Sequence, residues 1–501
     1  MTEESTGPRE RRIALAVGII AFGAYAFFFG GSGFNQNATL DQARAIVEQH
    51  TLAITAYASN TADLSEHNGQ LYPNKAPGTS FLAVIPYAIL YPIERAAGAA
   101  FGTVPVLTLN LYVVTVAVCG TLGAVIAAAM FIAARRRGAS ARRAIAISFL
   151  TAFGTPLFAY ATMLFLHVPS TAFLLLAHLA VFYAARPRPV AAGLAAGAAG
   201  LTNYLCIPVA LILGIALLVR SKNRVRDALL YAAGGLPGAA LLSWYHYRAF
   251  GGPFSLPIES ENPAFLDKDA FLGIMNMPRA DALWGVTFSP YRGLFFLSPL
   301  LLLAIVGLFR MRPRLEAVTI AAVSAFFLLF NASFNGWHGG YAIGPRYITP
   351  IIPLLALGLV YVPWKAVLGL LGAVSMAMNL IATAVDPQPP DSVMNPIRDY
   401  ALPLLVYGAV PEGRPIPDWL RQLYTGNVAV NRVAADEVLP FRRHEVGSAA
   451  SEWASFNLGE AIFTQGHWTS LLPVLLWMFG GWWWLDRRAR SVGHVPLVTL
   501  Q

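Results

Sequence analysis

The chain has 501 residues, of which 56% are hydrophobic and only 12% are charged. Soluble domains carry about 25% charged residues, and a water-soluble core cannot hide this much apolar side chain, so an ordinary soluble enzyme or nucleic-acid-binding domain is excluded. The net charge of +9 fits the short cytoplasmic loops of a membrane protein, where Lys and Arg collect.

Many apolar runs approach the roughly 20 residues that a helix needs to cross a bilayer. Barrel strands would alternate over short segments, and runs such as LLLLAIVGLF do not. The expected fold class is therefore an all-α polytopic membrane protein. Arg9, Arg11 and Arg12 precede a first span at about 13–30, which places the N-terminus in the cytoplasm and the following loop outside. No small-residue cleavage site follows Phe29, so this span reads as uncleaved.

The next apolar segment, 79–101, is interrupted by Pro86 and Pro92 and contains Glu94 and Arg95. A clear span at about 104–133 ends on Arg135, Arg136, Arg137, Arg142 and Arg143. These arginines belong in the cytoplasm only if 79–101 does not cross, so that segment is expected to lie in or dip into the outer interface. Further spans read at roughly 144–161, 168–185, 189–203, 204–219, 228–247, 290–309, 315–331, 347–363, 366–385 and 469–485. That makes about 12 spans with both termini inside.

The expected organisation is a transmembrane module at 1–385 with an outer loop at 31–103, an extracytoplasmic segment at 386–468, and a last span with a cytoplasmic tail at 469–501. Cys119 and Cys206 lie in apolar segments and suggest neither a disulfide framework nor a zinc site.

The unusual residues gather on the outer side. In the first loop, Thr39 is a candidate cap for an amphipathic helix, LDQARAIVEQH, with Leu40, Ala43, Ile46 and Val47 on one face. Asp41 would then stand in its first turn, and Asp63 follows the turn-forming stretch SNTA. Lys75 lies in YPNKAPG, where Pro73 and Pro77 restrict the backbone. A cation there suits a lipid phosphate, or it reaches to headgroups.

The short loop at 331–353 contains WHGGYAIGPRY, with Trp337, His338, Tyr341 and Arg346. Its glycines permit left-handed backbone. Its aromatic residues fit an interfacial belt or a platform for a sugar or prenyl chain, and an arginine binds phosphate bidentately. His167 and His467 are further histidines at the outer interface. No HExxH, phosphate loop, nucleotide fingerprint or nucleophile elbow is present. Chemistry on this face would need a substrate that arrives already activated, such as a lipid-linked phosphosugar.

The layout resembles the GT-C glycosyltransferases, polytopic enzymes that use polyprenyl-phosphate sugars. Locally it is similar to the aminoarabinose transferase and protein mannosyltransferase branch. Ala43-Arg44 matches the Ala-Arg helix of the first loop, and Tyr72-Pro-Asn-Lys75-Ala-Pro77 matches the Tyr-x-x-Lys-Pro-Pro-like turn. The family's Asp-Glu pair falls here on Asn35-Gln36, and an amide cannot act as a general base.

The resemblance implies sugar transfer from a polyprenyl phosphate to an extracytoplasmic glycan, lipid or protein, at a bacterial cytoplasmic membrane. Asp63 or Asp41 would be the base, and Lys75 and Arg346 would hold the donor phosphate. Asn35, Tyr72, Trp337, His338 and Tyr341 would contact substrate. The expected partners are the lipid-linked sugar, membrane lipids and the acceptor, with no nucleic acid. No cofactor is certain, and a divalent metal ion is left open. The competing readings are a lipid or polysaccharide transporter or flippase, and a non-catalytic prenyl-lipid-binding envelope protein.

Overall fold

The computed structural model describes residues 7–407, 455–463 and 468–490. It is a helical protein with two short antiparallel ladders. Among the described residues three helices are long and apolar enough to cross a membrane: Val104–Arg136, Arg314–Ser333 and Lys365–Ala384. Shorter apolar helices occupy His167–Phe182, Pro189–Thr202, Cys206–Arg220 and Arg346–Tyr361. Their outward faces are apolar: Leu211, Ile215 and Val219, one helical turn apart, are 69%, 65% and 56% exposed. Such a stripe is costly in water and costs nothing against lipid tails.

The first-loop helix starts earlier than expected. Helix α1 spans Pro8–Ala26, strand β1 is Phe28–Phe29, and helix α2 runs Phe34–Gln49 with Gly33 as its N-cap. Thr39 is therefore no cap, and its hydroxyl donates back to the Asn35 carbonyl at 2.8 Å within the helix. The amphipathic reading holds only in part: Leu40 and Ala43 are fully buried, but Ile46 and Val47 are half-buried, and Asp41, Gln42 and Arg44 are buried with the apolar residues because the helix is packed on all sides over its first three turns. Strands β2 (Leu64–His67) and β3 (Gln70–Pro73) form a hairpin. Asn68 and Gly69 both adopt positive φ, at 51° and 72°, the geometry of a two-residue turn that matches strand twist.

Helix α3 spans Gly78–Ala96 without a break, despite Pro86 and Pro92 inside it. Its Ile85, Ile89 and Ile93 point outward at 60–64% exposure. Strand β4, Phe456–Asn457, pairs with β1 and brings this late segment back onto the end of α1. The expected span at 290–309 is broken into Leu294–Leu297 and Leu300–Leu308. The Gly/Ala-rich helix at 189–202 packs tightly on Arg224–Phe250. A Cβ on Gly193 would come within 2.0 Å of the Tyr231 carbonyl oxygen, so only glycine allows this approach.

The two ends of α1 differ in character. At its start Glu10 pairs with Arg135 at 2.6 Å. Arg142 pairs with Asp486 at 2.5 Å. Arg137 meets the fully buried Glu316, which His178 also contacts at 3.2 Å. These contacts gather the residues that charge bias assigns to one side of the membrane. The far end of α1 leads into a polar cavity.

Candidate functional site

The hairpin sets the centre of this cavity. Its register pairs Leu64 with Pro73, so the residues that flank its open end, Asp63 and Asn74-Lys75, face one another. The Asn74 N–H donates to the Asp63 carbonyl at 3.3 Å. Lys75 Nζ lies 3.6 Å from Asp63 Oδ1. Asn35, in the first turn of α2, donates from Nδ2 to Asp63 Oδ2 at 3.3 Å. The Asn35 amide thus acts as a donor to the nearby carboxylate.

Gln36 Nε2 donates to Gln388 Oε1 at 2.8 Å, and Gln388 Nε2 donates to the Gly30 and Ser32 carbonyls at 2.7 and 2.9 Å. This ties the start of α2 to the segment after Lys365–Ala384. Asp386 accepts from Tyr400 Oη at 2.6 Å and from the Gln388 N–H at 2.8 Å.

The opposite wall is the glycine loop. Gly339, Gly340 and Gly344 take φ of 79°, 62° and 68°, values open to glycine at little cost. Arg292, fully buried, holds the loop by donating to the His338 and Gly340 carbonyls at 3.0 and 2.9 Å. The Gly340 N–H donates to His338 Nδ1 at 3.1 Å. Burial, with help from Arg292 and Arg346, drops the His338 imidazole to about 3, so it is neutral near pH 7. Arg346 lies across Gly339, donates to Tyr347 Oη at 2.8 Å and is close enough to feel the charge of Asp63. Its buried Nε has no hydrogen-bond partner among the described residues.

These walls enclose about 720 Å³, within the range of small-molecule sites. Asp63, Lys75, Arg346, Asn35, His338 and Tyr341 all line it, and so does His167. An apolar flank is formed by Phe165, Leu205, Leu256, Phe265, Phe330 and Phe334. The cavity lining thus combines charged and apolar side chains, and Phe165 lies directly beneath the Arg346 guanidinium, 5.5 Å from ring centroid to Cζ.

Three of the expected site residues stand elsewhere. Asp41 is fully buried inside α2, with Oδ1 3.0 Å from Arg44 Nη1, and does not reach the cavity. Burial pushes its carboxyl up to about 7, against the pull of Arg44. Because helix α2 begins at Phe34, Asp41 falls mid-helix on the packed face. Tyr72 is buried against Phe250, with ring centroids 5.4 Å apart. Trp337 packs with Ala282, Val286, Tyr291 and Met394 and supports the loop from behind. His467 lies outside the described residues, as does most of the segment 386–468.

Sequence reading missed Glu261, Arg292, Asp386 and Gln388. The Asn68-Gly69 turn is a legible hairpin signal, and an arginine beside an apolar run, as in YRGLFF, marks a buried structural cation. Glu261 carries no such signal. Among the described residues no group of three or more His, Cys, Asp or Glu side chains could hold a metal ion.

No family model matches this chain, and no curated protein matches it. Among solved structures it is similar to the crystal structure of ArnT from Cupriavidus metallidurans bound to undecaprenyl phosphate. The match covers 78% of this chain and 68% of that one, at 17% identity and a TM-score of 0.44.

Proposed function

We propose that this membrane protein transfers a sugar from a polyprenyl-phosphate donor to a hydroxyl of an extracytoplasmic acceptor, at a bacterial cytoplasmic membrane. The supporting observation is one cavity lined both by Lys75, Asp63 and Arg346 and by aromatic and aliphatic side chains such as Phe165, Leu205 and Phe330. A polyprenyl phosphate has the same two-part character. The apolar flank takes the first isoprene units, and Lys75 and Arg346 take the phosphate.

In the reaction the acceptor oxygen attacks the anomeric carbon and the bond from that carbon to the phosphate oxygen breaks. Charge develops on the leaving phosphate, where two preorganised cations stabilise it. The hydroxyl proton passes to a carboxylate on the wall, for which Asp63 is the candidate legible in the sequence. Neutral His338 and the amides of Asn35 and Gln36 supply hydrogen-bonding partners for sugar hydroxyls, with Tyr341 as an aromatic edge.

The test is binding of undecaprenyl phosphate to the full-length protein in lipid nanodiscs. A charge-assisted hydrogen bond is worth about 1.5–3 kcal/mol, so Lys75→Ala should weaken binding about 10- to 150-fold. Equal binding by wild type and Lys75→Ala would sink the proposal.

A further inference from the structure

Glu261 is delivered to the cavity by a latch between two segments far apart in sequence. Ser65 Oγ donates to the Pro257 carbonyl at 2.8 Å, and Ser65 pairs with Glu261 in an isolated antiparallel bridge. The Asn262 N–H donates to the Leu64 carbonyl at 2.9 Å, and Asn262 Nδ2 donates to the Ala62 carbonyl at 3.2 Å. Residues 257–262 thus run along the outer edge of the hairpin that carries Asp63 and Lys75. Glu261 lines the cavity beside them, with Oε1 accepting from Asn74 Nδ2 at 2.5 Å.

The two carboxylates are differently engaged. Both oxygens of Asp63 are taken, Oδ1 by Lys75 and Oδ2 by Asn35. Glu261 is fixed through Oε1 alone, and its Oε2 has no hydrogen-bond partner among the described residues. A base needs a free lone pair within reach of the proton it takes. Each Asp63 oxygen already faces a polar neighbour, Lys75 or Asn35, whereas Glu261 is oriented by a neutral amide through one oxygen and keeps the other for substrate.

We propose that Glu261 accepts the proton of the acceptor hydroxyl, and that Asp63 acts by positioning Lys75 against the donor phosphate. This assignment rests on the glycosyl-transfer reading above. As the acceptor oxygen bonds to the anomeric carbon, its proton moves to Glu261 Oε2. The electron pair of the broken bond leaves with the polyprenyl phosphate. The surroundings suit the role: burial raises the Glu261 carboxyl above the usual range and Asp63 adds to this, while Lys75 and the Asn74 hydrogen bond pull the other way. Lys75 and Asp63 are the charged groups that act on it, and Asp386, His338 and Arg346 share the same cavity.

The test uses full-length protein in nanodiscs, the radiolabelled polyprenyl-phosphate sugars of the native membrane as donor, and undecaprenyl phosphate as binding probe. Glu261→Gln should lower turnover by about 10²- to 10⁴-fold, the usual contribution of a general base, with undecaprenyl phosphate binding unchanged. Azide is already an anionic nucleophile and needs no base, so Glu261→Ala with azide should release a glycosyl azide. Asp63→Asn should instead weaken undecaprenyl phosphate binding. Wild-type turnover in Glu261→Gln, or azide rescue of Asp63→Asn but not of Glu261→Ala, would overturn the assignment. Failure of the wild-type protein to bind undecaprenyl phosphate would overturn the transfer reading and the base together.

Discussion

Replacing Asp41 by its neutral isostere separates the two carboxylates that the first loop offers. Asp41 is fully buried, and its carboxyl titrates at about 7 instead of the ordinary 3.8. At about 1.4 kcal/mol per pH unit, a difference of that size makes the charged form cost the folded protein about 4 kcal/mol, as an order of magnitude. The sign follows from proton counts. Between pH 4 and 7 the folded protein holds a proton on Asp41 that the unfolded chain has lost, so the contribution to stability is largest below pH 4. It falls as pH rises and is lost above about 7.

Breaking a buried ion pair normally costs about 3–5 kcal/mol, because the surviving charge is stranded. Arg44 is not stranded: it keeps Glu48 at 3.1 Å and lies 4.0 Å over the Tyr57 ring. Asp41→Asn should therefore match the wild type in stability only below about pH 4, where Asp41 is neutral in both the folded and the unfolded chain, and gain on it as pH rises toward 7. It should equal or exceed the wild type at pH 8, and it should retain undecaprenyl phosphate binding. The assay is thermal unfolding of the purified protein in detergent across pH 5–8, with binding measured alongside. An unchanged slope of stability against pH, or lost binding in a folded variant, would refute the reasoning.

Two further outcomes follow from the glycine loop. Gly339→Ala should weaken undecaprenyl phosphate binding, because its Cβ would stand 3.1–3.3 Å from the Arg346 side chain at a φ of 79°; left-handed backbone at a non-glycine residue costs about 1–2 kcal/mol, so binding titration and a melting curve should both move. His338→Asn should flatten the acid limb of the stability profile. The folded imidazole resists protonation down to about 3 while the unfolded one titrates near 6.5, so wild-type stability falls as pH drops from about 6.5 toward 3. An unaltered acid limb in the variant would show that His338 is not the group responsible.

Much of the site was legible because its parts are local. The two prolines around Lys75, the glycines around Trp337-His338 and the arginine after Gly344-Pro345 each restrict the backbone within a few residues, so they could be recognised without neighbours. Asp63 was preferable to Asp41 from its nearness to Lys75 in sequence, but the physical reason was not local. Their difference depends on where α2 begins: a start at Phe34 turns Asp41 into the packed core and brings Asn35 within reach of Asp63. Trp337 was misplaced for a similar reason, since a tryptophan in an outer loop fits a membrane belt or a core equally well until Tyr291 and Met394 pack around it.

The sequence by itself determined the membrane setting, the helical class and the concentration of chemistry in a few loops, because hydropathy, charge bias and Gly/Pro restriction act along the chain. The tertiary structure alone decided which of those loops share a cavity. Lys75 is more than 250 residues from Arg346 and Gln388 in the chain, yet the three line one space. Glu261 joined them only through backbone pairing between residues 257–262 and the hairpin, a register that no local pattern encodes.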